Sequence, residues 1–176
     1  MGDFQDLLLH RRSVRQYTDK RVSREQLEQI ARAGLLSPTG RNKQDWDFVV
    51  VGDRETLNRL AESRSGGAAK MLAGAAAAIV VFGDPSATDV WCEDCSIAMS
   101  NMHVMADSLG LGSCWIQGRL RTAEDGRSTE EFVREVLGAP ESLALEAMLS
   151  IGVPVKRLAA RTLDDADMSK VHWGRF

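Results

Sequence analysis

The chain is poor in the residues that staple, ligate or span. It holds three cysteines and three histidines in 176 residues. His10, His103 and His172 are scattered, with no His-x-x-x-His pair, so no ligand set for a catalytic metal is expected. Few cysteines and no Asn-x-Ser/Thr site suit a reducing cytoplasm better than secretion. The longest apolar run, Met71 to Phe82, is broken by Gly74, and its 12 residues fall well short of a membrane span, which needs roughly 20. The stretch Met1 to Arg12 opens acidic and offers no small-residue cleavage site, so no signal peptide is expected. There is no G-x-x-x-x-G-K-[ST] to cradle a nucleoside triphosphate and no G-x-S-x-G to seat a hydrolytic serine. Gly110-Leu111-Gly112 meets Trp115 where a dinucleotide fingerprint needs its third glycine. It also closes a helix rather than opening one.

What is present is an ordinary globular make-up. Apolar residues are 44% and charged residues 27%, at a length that suits one domain over 1–154 and a tail over 155–176. A net charge of −3 gives no basic footprint for nucleic acid. The balance is uneven, about +3 over residues 1–70 and −6 over 71–176. Lys20, Arg21 and Arg24 read as a solvated face. Arg11, Arg12 and Arg15 surround Ser13 at the end of a helix, a grouping that suits one small anion better than a long polyanion.

The spacing predicts a helix from Asp3 to Arg12 and an extended Ser13 to Tyr17. Ser23 with Gln26 forms a capping box that opens a helix through Leu36, with Leu27, Ile30, Ala31 and Leu35 inward. Strands are predicted at 48–51, 79–82, 113–116 and 145–151. Helices are predicted from Asp53 to Glu62, from Thr88 to Leu109, and from Ser128 to Leu137, with a helical turn at 70–75. The long helix should bury Ala98, Met102, Met105 and Leu109. Because strands and helices do not alternate regularly, the class is α+β, with a sheet of about four strands covered by helices. The tail ends in Val171, Trp173 and Phe176, apolar enough to dock on its own domain or on a partner subunit. Cys92-Glu93-Asp94-Cys95 lies early in the long helix. It reads either as two buried or interfacial thiols or as a redox-sensitive pair.

Three segments carry a resemblance. They are Arg11-Arg12-Ser13-Val14-Arg15, then Ser37-Pro38-Thr39-Gly40-Arg41-Asn42-Lys43-Gln44-Asp45-Trp46, then Gly110 through Gly118. In this order, with the closing Gly152-Val153-Pro154 and a basic tail residue, the chain resembles the nitroreductase family of FMN-dependent oxidoreductases over nearly its whole length. Asp45 stands where that family has proline, Val153 where it often has tyrosine, and Gly67 where it often has asparagine. Ala159 replaces a tail lysine, a loss for which Arg157 or Lys156 could compensate.

The resemblance implies that the sheet is central, mostly antiparallel and flanked by helices, in a fold shared by an intertwined homodimer with FMN at the subunit interface. Arg11, Arg12 and Ser13 would hold the phosphate and ribityl end with Arg161. Arg15 and Lys70 would sit at the pyrimidine edge, where their charge favours reduced flavin. Backbone N–H groups of Gln117 and Gly118 would face the flavin N5 and C4 carbonyl, with Gly118 allowing close approach. Pro38, Thr39, Gly40 and Asn42 would reach the FMN held mainly by the other subunit. NAD(P)H would deliver hydride, and a nitroaromatic, quinone or activated alkene would collect electrons at the same site in turn, a ping-pong scheme. The alternative is a flavin-holding or redox-sensing module without turnover of its own.

Overall fold

The computed structural model describes residues 4–176. A predicted helix start at Asp3 lies outside them. The elements are α1 (Phe4–His10), α2 (Arg24–Leu35), β1 (Trp46–Val51), α3 (Arg54–Leu60), β2 (Ala77–Gly83), α4 (Trp91–Ser108), β3 (Gly112–Gln117), α5 (Thr129–Leu137) and β4 (Ala144–Gly152). Short 3-10 turns occupy Gly40–Asn42, Ser65–Gly67 and Lys70–Gly74. The helix starts follow their caps. Ser23 Oγ accepts the Gln26 N–H while Gln26 returns to the Ser23 N–H, and Ser128 with Glu131 repeats the exchange. Asp53 caps α3 through the Thr56 N–H at 2.8 Å.

The four strands form one antiparallel sheet in the order β1-β2-β4-β3. β2 is buried on both faces, which its uninterrupted apolar sequence requires. Ala78, Val80, Phe82, Ile116 and Met148 pack on the α3/α5 side. Ile79, Val81, Leu149 and Ile151 pack against α2 and α4. The sheet is thus the middle of three layers. Two inward assignments need correction. Leu35 is exposed, and the buried position on the last turn of α2 is Gly34, where a Cβ would stand 2.7 Å from the Phe48 ring. The crossing of α2 over β1 is too close there for any side chain. Met105 and Leu109 are only partly buried, at the rim of the α4 packing. No helix among the described residues is long and apolar enough to cross a membrane.

β3 is the last strand of the sheet, and its outer edge frames the site. The chain leaving α1 pairs there briefly: Ser13 bridges Ser113 in parallel and the Val14 N–H donates to the Ser113 carbonyl at 2.9 Å. Tyr17 anchors this segment, its hydroxyl lying 2.6 Å from the Val14 carbonyl and 2.7 Å from Ser150 Oγ. The start of the tail is tied to the same strip by the Val155 N–H to the Gln16 carbonyl and the Arg161 N–H to the Leu9 carbonyl.

Candidate functional site

The predicted residues fall into three groups. The first surrounds the start of β3. Arg11 Nη1 donates to His103 Nε2 at 2.7 Å, and His103 Nδ1 meets Ser113 Oγ. A guanidinium can only donate, so Nε2 accepts and Nδ1 carries the proton. Burial, then the nearby Arg11 charge, push the His103 pKa down to about 4, so the ring is neutral at physiological pH. Arg11 is itself pushed below the usual guanidinium range by burial, then by Arg161, with Arg12 adding to it. Arg12 Nη1 donates to the Ala159 carbonyl at 2.8 Å, which straps the tail over this corner. None of Arg11, Arg12 and Arg161 forms an ion pair among the described residues. Of the two tail cations, Arg157 turns to Asp107 at 3.8 Å, whereas Lys156 lines a small cleft with Ser13 and Arg15.

The second group lies at the far end of β3, four residues on and so about 13 Å away. Ser113 and Gln117 share one parity of the strand. The Ser113 carbonyl faces outward to Val14, so the Gln117 backbone faces the outer edge as well. Its carbonyl is taken by Arg64 Nη1. The expectation for Gly118 is overturned. Its N–H donates inward to the Glu146 carbonyl at 3.1 Å, as does that of Arg119 at 2.9 Å. Gly118 is needed because a Cβ there would lie 2.5 Å from Leu145 Cδ2, a packing demand rather than an approach to a ligand. Lys70 sits on its 3-10 turn with its side chain over Gly67. Gly67 has φ 73°, a left-handed conformation open to glycine and asparagine alike, so the exchange between them preserves the backbone.

The third group is the loop after α2. Arg41, Asn42 and Gln44 all have positive φ (53°, 54° and 48°), a run of strained backbone that only surrounding structure can hold. The Gly40 N–H donates to both carboxylate oxygens of Asp94 at 2.9 and 3.0 Å. Asp45, where proline was the expectation, is buried beside Asp94 and meets no N–H or O–H donor among the described residues. Burial, then the neighbouring Asp94 and Asp84 carboxylates, raise its pKa. Within one chain, Pro38, Thr39, Gly40 and Asn42 do not join the first group. Asp94 and His103 are nine residues apart on α4, about 13 Å.

Cys92 is half-buried and Cys95 buried, and both are free thiols. The Cys92 thiol donates to Glu146 Oε2 at 3.2 Å, and burial with that hydrogen bond pushes its pKa up to about 11. Cys95 is fully buried and its pKa is raised further, mainly by burial. Sequence reasoning missed His103, Arg64 and Glu146. A lone histidine on a helix face, a single arginine in a loop and a glutamate in an apolar strand give no signal of their own.

The chain is similar to known proteins over most of its length. The model of the nitroreductase family matches residues 8–70 and 61–153. An Archaeoglobus fulgidus protein named "Putative NADH dehydrogenase/NAD(P)H nitroreductase" is 38% identical over 152 residues, covering 84% of this chain and 83% of that one. The structure of an FMN-dependent nitroreductase from Clostridium difficile R20291 superposes with a TM-score of 0.94 at 40% identity, over 98% of this chain and 99% of that one. A Desulfovibrio desulfuricans protein described as a "putative nitroreductase in complex with FMN" superposes with a TM-score of 0.73 at 28% identity, over 94% of this chain and 95% of that one. With the α+β fold, the basic corner and the edge strand all in place, the chain belongs to the nitroreductase family.

Proposed function

We propose that the protein is an FMN-dependent oxidoreductase that takes hydride from NAD(P)H and passes electrons to a small acceptor such as a nitroaromatic, quinone or activated alkene. The observation that carries this reading is the first group: Arg11, Arg12 and Arg161 crowd one another, and no carboxylate among the described residues lies within ion-pair distance of them, Asp107 acting on Arg11 only from farther off. Such a donor set fits a phosphate dianion, which would offset their mutual repulsion. The far end of β3 suits a ring edge, because the Gln117 N–H faces outward there. FMN, when bound, supplies the hydride and electron chemistry that the side chains lack.

The chain's residues then have separable tasks. Arg11, Arg12, Ser13 and Arg161 hold the phosphate and ribityl end, with Lys156 in place of the absent lysine. Arg15 and Lys70 supply positive charge at the pyrimidine edge. The Gln117 N–H would face the flavin N5 and C4 carbonyl. Pro38, Thr39, Gly40 and Asn42, which lie apart from the first group in one chain, serve the site of a second copy in a homodimer. One site then serves the nicotinamide donor and the acceptor in turn. A flavin module that senses redox state through Cys92 and Cys95 has less support, because both thiols are held protonated.

The test is the visible spectrum of protein loaded with FMN and freed of excess. Retained flavin bands, released as FMN on denaturation, and repeated turnover of NADH with a quinone are expected. A colourless protein that fails to quench FMN fluorescence would overturn the assignment.

A further inference from the structure

We propose that Arg64 and Arg121 form an oxyanion subsite beside Gln117, which takes a carboxylate or phosphate group of a reacting substrate. The inference deepens the flavin reading and rests on it for the chemistry, though not for the binding.

Arg64 is fixed rather than waving in solvent. Its Nη1 donates to the Gln117 carbonyl, and its Nε is buried without a hydrogen-bond partner among the described residues. The two loops that carry the pair are locked together. The Ser65 N–H donates to the Thr122 carbonyl at 2.8 Å, and the Thr129 N–H donates to the Arg121 carbonyl at 2.8 Å. Glu124, in the same pair of loops, already accepts the Gly67 N–H at 3.1 Å. Neither arginine forms an ion pair among the described residues. Burial, then the like charge of Arg121, hold the Arg64 pKa below the usual guanidinium range. A partly desolvated guanidinium placed next to a second cation is costly unless an anion meets its remaining Nη N–H groups.

This locus is distinct from the Arg11, Arg12 and Arg161 corner, which lies at the other end of β3. It also has an apolar neighbour. Leu120, whose carbonyl accepts from Arg121 Nη1, is 79% exposed and held at φ 56°. An exposed leucine in a strained conformation next to two cations suits a ligand with an apolar body and an anionic end.

The experiment compares full-length, FMN-loaded wild type with Arg64→Gln and Arg121→Gln. The second variant leaves the Gln117 carbonyl contact intact. The first readout is the ratio of kcat/KM for 4-nitrobenzoate to that for nitrobenzene. Losing a charge-assisted hydrogen bond should lower this ratio about tenfold or more in both variants. The second readout is the same ratio for NADPH over NADH. If that ratio is the one that falls, the oxyanion is the dinucleotide's phosphate, and the subsite stands with a different source. The third readout needs no turnover: benzoate or inorganic phosphate should raise the Tm of the wild type and not that of the variants. The proposal is overturned if both ratios stay at wild-type values, or if the variants lose FMN itself, which would place Arg64 in the flavin site. Should the wild type bind no FMN, the flavin reading fails, while the thermal shift still decides whether the subsite exists.

Discussion

His103 shows how a residue without a motif acquires a task. Its neutral ring accepts from Arg11 and holds Ser113, so it sets the direction of a guanidinium whose other N–H groups remain for an anion. His103→Leu should weaken FMN binding about tenfold, the value of a lost hydrogen bond to a charged group, while His103→Gln restores most of it. Equilibrium fluorescence quenching reads this directly. The depressed pKa has a consequence for stability. The unfolded histidine takes up its proton near pH 6.5, whereas the folded one waits until about 4. Stability should therefore fall as pH drops through that window, by about 2–3 kcal/mol between pH 7 and 4.5. Thermal melts of His103→Gln should show a shallower acid slope. Asp45 works in the opposite direction. Its raised pKa means that the fold prefers the protonated acid, so stability is lost as pH rises above the ordinary carboxylate range. Asp45→Asn keeps a donor toward Asp94 without the titration. It should melt at the same temperature as wild type or higher at pH 8, and Asp94→Asn should not reproduce this, because Gly40 loses its carboxylate partner.

Elements were legible where chemistry is local. Ser23 with Gln26, Asp53, and Ser128 with Glu131 mark their helix starts because a cap needs only residues three positions apart. The apolar periodicity likewise gave the four strands and the length of α4 to within a few residues. What pairwise spacing cannot reveal is which element crosses which. Leu35 fits an apolar stripe, yet the crossing with β1 falls on Gly34. Gly118 fits a cofactor approach, yet the side chain it makes room for is Leu145. The candidate site divides in the same way. Arg11, Arg12 and Ser13 are adjacent in sequence and therefore visible, whereas Arg64 and His103 join the site only through folding. Gly118→Ala should cost about 1–3 kcal/mol through overpacking against Leu145, with little effect on FMN affinity once folded. Urea unfolding midpoints and flavin titration separate the two effects.

At the scale of the whole molecule, one chain leaves much apolar surface open. Leu36 is 84% exposed and Trp173 87%, and Phe4, Leu8, Ile97, Val155 and Phe176 are open as well. The tail, expected to dock, makes its described backbone hydrogen bonds to the rest of the chain only near its start, at Val155 and Arg161, and leaves its apolar tip uncovered. In the proposed homodimer a second copy would cover this surface together with the loop from Pro38 to Asn42. Removing residues 162–176 should therefore lower Tm, make it strongly dependent on protein concentration, and weaken FMN binding although Arg161 remains. Sedimentation velocity with parallel flavin titration tests this. Unchanged mass and affinity would mean that the tail is dispensable.

The outer edge of β3 has a last consequence, for the life of the protein before it meets its cofactor. Beyond Ser113 no chain segment pairs with that edge, and the Gln117 N–H points outward with no partner among the described residues. An unpaired strand edge invites pairing with any other strand, in a neighbouring molecule as readily as in its own. Newly made protein in flavin-starved cells should therefore be prone to edge-to-edge aggregation. The cofactor would then act as an assembly partner as well as a reagent, and riboflavin supply during expression should raise the soluble yield.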